Sequence, residues 1–338
     1  MLCWDAICSM ASKAWEVLNL DNMTALVSCF ARAYHYKNSE RPVFADSVAE
    51  QLLTAEEYDA ISRNMTQGIQ YFAPDFHGTQ EEALQFIVNH QLAPSVLARS
   101  AFCERAIDNA VRLGCRQIVI YACGYDTFSL RTHNQSLTVY ELDRPKMIAD
   151  RWKRIAGCPT ESLGIGRAIF TKGENGLTGI EDSQAGRPRT GLEPACHVED
   201  IGCDLSRSTW KERLIEAGFD VERPSFSSLL GISYYLTEDE FEKLIAGIAS
   251  LSCEGASICL DYPINEEGRE SARNRELAAA AGEAMKARYS YGEMEALLSR
   301  AGFLIYDHMD ADEATEAFFK DSDMTAPAGV GYCLAIKK

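Results

Sequence analysis

The chain has 338 residues, of which 46% are hydrophobic, 25% charged and 9% aromatic, the composition of a globular protein with a sizeable core in one large domain or two modest ones. A formal net charge of -17 repels phosphate backbones, so nucleic acid is not an expected partner, and an acidic ligand would need a local cluster of arginine or lysine. The 12 cysteines include no CxxC pair and several sit in apolar runs such as "ASICLDY" and "GYCLAI", as free thiols do in a reducing cytosol, so no metal site is expected.

The opening "MLCWDAICSMASKAWEVLNL" has no basic start and is interrupted by Asp5 and Lys13, which does not read as a signal peptide. No run of about 18 apolar residues exists, so no membrane span and a cytoplasmic location are expected. Residues 1–100 read as helical. "AWEVLNL", "ALVSCFARAYHY" and "DSVAEQLLTAEEYDAISRNM" place apolar residues three and four apart. The stretch "EEALQFIVNHQLAPSVLARSAFCERAIDNAVRLG" continues the pattern, with a break or kink expected at Pro94 and a helix end at Gly114.

From Gln117 strands and helices alternate. "QIVIYA", "SLTVYELD", "HVEDIGCDL", "PSFSSLLGISYYL", "ASICLDYP", "LIYDHMD" and "VGYCLAIKK" carry seven strands. Helices fall in "PKMIADRWKRIA", with Pro145 in its first turn, in "STWKERLIEAGF", in "TEDEFEKLIAGIASL", at about 266–287, in "YGEMEALLSRAGF" and in "DEATEAFF". Thr237 and Glu240 form a capping box. The alternation predicts an α/β fold with a mainly parallel sheet covered on both faces. Residues 157–194 are rich in Gly and polar residues and read as a loop or hairpin insertion. The expected division is a helical lid at 1–100 and a Rossmann-like domain at 101–338.

In open parallel sheets ligands bind beyond the carboxyl ends of the strands. In "IVIYACGYDTFSLR", Gly124 lets the backbone turn and a ligand approach, and Asp126 follows. About twenty residues on, "VYELD" ends the second strand with Glu141 and Asp143, and an acidic residue there can accept hydrogen bonds from both hydroxyls of a ribose. The expectation is an adenosine-type cofactor across the ends of strands one and two. A dinucleotide fold wants G-x-G-x-x-G, whereas this loop has only Gly124, and Asp126 would face a pyrophosphate badly. S-adenosylmethionine, with no phosphate and a cationic methionine end, suits the acidic loop better. At the end of strand three, "CDL" offers Asp204 to the adenine amine and Leu205 to the ring; the alternative is that Asp204 or Ser206 caps the helix holding Trp210.

These segments, in order, resemble the leucine carboxyl methyltransferase family, in its bacterial branch of class I S-adenosylmethionine-dependent O-methyltransferases, over roughly residues 29–265. "FARAYHYKNSERPVFADSVAEQLL" is similar to that family's lid, "ARSAFCERAIDNAV" to its Arg-bearing helix, "ACGYDTFSLR" to its glycine loop, "YELDRP" to its acidic strand end, and "CDL" and "YYLTEDEF" to later segments. The resemblance implies a Rossmann-like seven-stranded class I methyltransferase sheet, mainly parallel with an antiparallel last strand, plus an N-terminal helical lid. It also implies S-adenosylmethionine as cofactor, with contacts falling on Arg99, Gly124, Asp143, Asp204 and Leu205. Arg99 would reach the methionine carboxylate, and a further cationic lid contact would fall on Arg32 or Lys37.

Two positions depart from the family pattern. Ala122 stands where the first glycine of the loop is usual, and Leu230 stands where the family has an acidic residue near the methionine end. Losing one charged hydrogen bond costs ~1.5–3 kcal/mol, roughly tenfold to hundredfold in affinity.

Methyl transfer requires the nucleophile, methyl and sulfur to be aligned. A carboxylate acceptor is already an anion and needs no base. The six histidines form no obvious catalytic pair in sequence, which favours a carboxylate of a small molecule or peptide as acceptor, positioned by Tyr234, Tyr235 and Arg131. The alternatives are a hydroxyl of a small metabolite and, in another class, a binding or scaffold protein that has lost catalysis. Nothing in the sequence sets the oligomeric state.

Overall fold

The computed structural model describes residues 22–157, 194–264 and 286–338. The helix expected in "AWEVLNL", nearly all of the insertion expected at 157–194 and nearly all of the helical stretch expected at 266–287 lie outside the described residues. What is described falls into two compact units, each taken here by itself.

The first unit holds residues 22–101 and 310–330. Its helices are Met23–Asn38, Ala55–Gln67, Ile69–Phe72, Gln80–Ile87, the start of Ala93–Arg112, and Ala311–Ala314. Three of them begin at capping boxes, Thr54 with Glu57, Thr79 with Glu82, and Asp310 with Glu313, so two otherwise orphaned backbone donors are satisfied at each start. Met23–Asn38 buries Leu26, Cys29, Phe30 and Ala33 at helical spacing. At Pro94, where a break or kink is expected, the helix Ala93–Arg112 runs through and the irregularity lies just before it. A π turn, Val88–Leu92, joins Gln80–Ile87 to Ala93–Arg112, and the Ala93 N–H donates to the Val88 carbonyl five residues back. Proline cannot donate to the helical ladder, and the wider turn takes up the mismatch. A buried Arg32–Asp46 ion pair at 2.8 Å closes the loop after the first helix, and Asp46 also accepts from the Val48 and Ala49 N–H groups at 3.2 and 3.0 Å. His35 is buried on the same helix, and its Nε2 accepts from the Val43 N–H at 2.9 Å.

The second unit is built on one sheet. Its strands are β1 Gln117–Tyr121, β2 Thr138–Asp143, β3 His197–Gly202, β4 Ser225–Leu229, β5 Ser257–Pro263, β6 Phe303–Met309 and β7 Val330–Lys337. Their order is β3-β2-β1-β4-β5-β7-β6. Pairings among β1 to β5 are parallel, and β6 pairs with β7 antiparallel with a register shift between Ile305 and Asp307. All seven strands read from the sequence are present, and the antiparallel last strand inserts between β5 and β6. β1, β4 and β5 are buried along their whole length, as central parallel strands covered on both faces must be. One core cluster packs Val119, Leu142, Leu229, Ile258 and Leu260 against Trp210 and Leu214 of Thr209–Glu216, Phe241 and Ile245 of Glu238–Ser250, and Met294 and Leu298 of Tyr291–Arg300. The capping box at Thr237 and Glu240 is formed, and Gly114 ends its helix at φ 103°. No helix among the described residues is long and apolar enough to cross a membrane.

Two measurements test this packing. Phe241 is fully buried, so Phe241→Ala should lower the stability of the second unit by about 3–5 kcal/mol in a denaturant titration. Burial pushes the His35 imidazole down to about 4, below the ordinary value of about 6.5 that it regains on unfolding. The unfolded chain therefore takes the proton first. The stabilisation is fully present above about pH 6.5 and is lost as pH falls toward 4. The stability advantage of the natural protein over His35→Gln should shrink across that window.

Candidate cofactor site

The site is assembled at the carboxyl ends of β1, β2 and β3. After Tyr121 the chain turns through Ala122 at φ 53° and Gly124 at φ 51°, then enters the short helix Phe128–Arg131. Gly124 carries no strain there, but Ala122 sits in the left-handed region that costs a side-chain-bearing residue roughly 1–2 kcal/mol. The turn is held by its neighbours. The Cys123 N–H donates to the Leu142 carbonyl at 3.0 Å, and the Gly124 N–H donates to Asp143 Oδ2 at 2.8 Å. Asp126 Oδ1 accepts from the Phe128 N–H at 2.8 Å.

Asp143 is the hub. Its Oδ1 accepts from the Arg144 N–H at 2.7 Å, and its carbonyl accepts from the Cys203 N–H at 2.7 Å, which ties the segment after β3 to the end of β2. Burial pushes the Asp143 carboxyl up, against the opposing pull of the Gly124 and Arg144 amides. Each carboxylate oxygen has a second lone pair, so both can still accept from a ligand hydroxyl.

Glu141, two residues earlier on the same face of β2, lies deeper and is fully buried. Both terminal guanidinium nitrogens of Arg151 reach it, Nη2 to Oε1 at 2.8 Å, and the Ser129 hydroxyl donates to Oε1 at 2.6 Å. Arg151 also donates to the Asp126 carbonyl at 3.0 Å and lies 3.6 Å from Asp200 on β3. Burial raises the Glu141 and Asp200 carboxyls while Arg151 pulls both down. Glu141 thus props the loop from beneath, and Asp143 is the strand-end acid beside it. Arg151 was not singled out in the sequence. Its signal is position, since it shares the buried face of Pro145–Gly157 with Met147, Ile148 and Ile155, a place where a charge needs a partner.

Asp204 is exposed. Its Oδ1 accepts from the Ser206 N–H at 3.0 Å and hydroxyl at 2.7 Å, and Arg207 lies 3.3 Å from Oδ2. The Ser206 bonds hold its carboxyl below the usual range. The helix starts after Ser208, which makes no side-chain capping bond, so neither Asp204 nor Ser206 caps it; those two bond to each other instead. Leu205 and Ala122 are partly buried against the core. Two thiols flank the turns: burial pushes Cys123 well up and Cys203 to about 12.

Leu230 is partly buried immediately after β4, and Tyr234 donates its hydroxyl to Asp261 Oδ2 at 2.9 Å. The rings of Tyr234 and Tyr235 are 6.3 Å apart. Arg131 is engaged with Glu104, by Nη1 at 3.1 Å, and with the Thr127 hydroxyl at 2.9 Å. The structure also pairs two groups distant in sequence: the Tyr262 hydroxyl and His308 Nε2 lie 2.9 Å apart. In the first unit, Arg99 donates to the Ser28 hydroxyl at 3.3 Å, and Lys37 pairs with Glu50 at 2.6 Å at the surface. Among the sequence candidates, Ala122, Gly124, Asp126, Glu141, Asp143, Asp204 and Leu205 gather at the ends of β1 to β3, while Leu230, Tyr234 and Tyr235 follow β4.

The left-handed Ala122 gives a direct test. Ala122→Gly removes the Cβ strain but adds backbone freedom to the unfolded chain, so the expected outcome is a gain of about 0.5–1 kcal/mol in a denaturant titration.

Comparison with known proteins places this chain in a family. Residues 25–249 match the family model described as leucine carboxyl methyltransferase. YktD of Bacillus subtilis (strain 168), named as an S-adenosyl-L-methionine-dependent methyltransferase, is 32% identical over 336 residues, covering 95% of this chain and 99% of its own. A protein of Mycobacterium ulcerans (strain Agy99) with the same type of name is 26% identical over 267 residues, covering 79% of this chain and 73% of its own. Among solved structures, a DUF574 family protein from Streptomyces avermitilis covers 81% of this chain and 97% of its own at 14% identity and a TM-score of 0.49. The chain belongs to the leucine carboxyl methyltransferase family and, with it, to the S-adenosylmethionine-dependent methyltransferases.

Proposed function

We propose that this chain is an O-methyltransferase whose acceptor is a carboxylate of a small molecule or peptide. The observation that carries the cofactor half of the reading is the buried Asp143 joined to the Gly124 N–H, beside a turn with two left-handed residues and no glycine-rich pyrophosphate cradle. The family match supports the carboxylate.

The cofactor supplies an electrophilic methyl on a sulfonium. Asp143 would accept from the ribose hydroxyls, Asp204 from the adenine amine, and Leu205 would pack on the ring. Arg99 would pair with the amino-acid carboxylate. Tyr234, Tyr235 and Arg131 are the candidates for holding the acceptor. A carboxylate oxygen is anionic well below neutral pH and attacks in line without losing a proton, so the chain has only to align and desolvate it. One observation favours a hydroxyl acceptor instead. Tyr262 and His308 form a polar pair on β5 and β6, and a histidine can serve as a base.

Two experiments test the reading. S-adenosylhomocysteine at ~100 times its dissociation constant adds about 2.7 kcal/mol and should raise the unfolding midpoint by several degrees in the natural protein and not in Asp143→Ala. No shift in the natural protein at millimolar ligand would move a binding or scaffold role to the front. Methyl-labelled S-adenosylmethionine, offered with a panel of carboxylic acids and phenols, should give a product whose label is released by mild alkali, the mark of an ester. An alkali-stable ether, formed at a rate that rises through the histidine range and drops in His308→Ala, would establish the hydroxyl acceptor.

A further inference from the structure

The strand order places β1 and β4 side by side, with the chain running outward through β2 and β3 on one flank and through β5 on the other. Such a reversal is where open parallel sheets hold ligands. On each flank a buried aspartate reaches inward to the turn after the central strand. Asp143, ending β2, takes the Gly124 N–H after β1 at 2.8 Å. Asp261, near the end of β5, takes the Gly231 N–H after β4 on Oδ1 at 2.6 Å. Both glycines have positive φ, 51° and 69°. The two halves of the crevice are pinned by the same device.

Asp261 is tied more tightly than that one bond requires. The Tyr234 hydroxyl donates to Oδ2 at 2.9 Å, and the Ser233 hydroxyl donates to the Asp261 carbonyl at 2.8 Å. One residue thereby fixes three members of the turn at 231–234. Its strand neighbours Ile258, Cys259, Leu260 and Tyr262 are essentially solvent-free, as is Asp261 itself. A carboxylate in such a run does not improve stability over an apolar residue of similar size, whereas it fixes geometry through its acceptors.

We propose that Asp261 is a positioning residue for the cofactor. By fixing the turn after β4 it shapes the part of the crevice that takes the amino-acid end, and with Asp143 it makes the crevice favour a cation. The inference rests on the methyltransferase reading above. The adenosine candidates Asp143 and Asp204 stand on the β2 and β3 side, so the sheet order leaves the ends of β1 and β4 for the remainder of the molecule.

The test is calorimetric titration of the natural protein, Asp261→Asn and Asp143→Ala with two probes: S-adenosylhomocysteine, and 5′-methylthioadenosine, which lacks the amino-acid end. Asp261→Asn should weaken S-adenosylhomocysteine about tenfold and leave 5′-methylthioadenosine within about twofold, while Asp143→Ala weakens both. A general loosening of the fold would weaken both probes alike, so equal losses in Asp261→Asn, or no loss, overturn the proposal. Should Asp261→Asn not fold, Ser233→Ala, which keeps the carboxylate and removes one anchor, should show the same preference at about threefold, and equal losses again overturn it. A natural protein that binds neither probe removes the cofactor reading itself and this inference with it.

Discussion

One hydrogen bond, from the Gly124 amide to the Asp143 carboxylate, sets the shape on which the candidate site depends. The turn after β1 contains two residues in the left-handed region, one of them an alanine, and left alone such a turn would relax. It holds because it is tied from three directions. Asp143 grips it from the end of β2, the Leu142 carbonyl takes the intervening amide, and Arg151 reaches the Asp126 carbonyl from beneath. The same aspartate binds its own successor and the segment after β3. Acidic side chains bonded to backbone amides thus hold the turn where a pyrophosphate loop would have a run of glycines.

The sheet was legible because its pattern is redundant. Seven apolar runs, most of them separated by helical segments, leave little freedom of topology once crossovers are right-handed. The functional detail was legible only in part. Glu141 and Asp143 lie two apart on a strand and so share a face, and their sequence spacing cannot tell which is deep and which is at the rim. Depth is settled by Arg151, a helix residue that reads as solvated until the apolar residues around it are counted as one face. The Tyr262 and His308 pair was illegible for a different reason: the two residues sit on separate strands, and only the insertion of β7 fixes how those strands are arranged. Pro94 shows the same limit locally, since a proline announces a lost backbone bond but not that a π turn will absorb the loss.

Buried ionic groups recur in both units, Arg32 with Asp46 in one and Arg151 with Glu141 and Asp200 in the other. Neither is an economical way to stabilise a core. Each lies where an irregular segment meets a regular one, and each orients backbone: Asp46 the amides of Val48 and Ala49, Arg151 the carbonyl of Asp126. The chain uses charge to hold loops in conformations that packing alone would leave soft.

The thiols beside the turns acquire a meaning from the chemistry. A sulfonium methyl group is an alkylating agent, and thiolate is among the best nucleophiles a protein carries. Cys123 lies within the turn after β1 and Cys203 directly after β3, yet burial keeps both in the neutral form. The burial that raises the Asp143 carboxyl thus also holds the neighbouring thiols protonated.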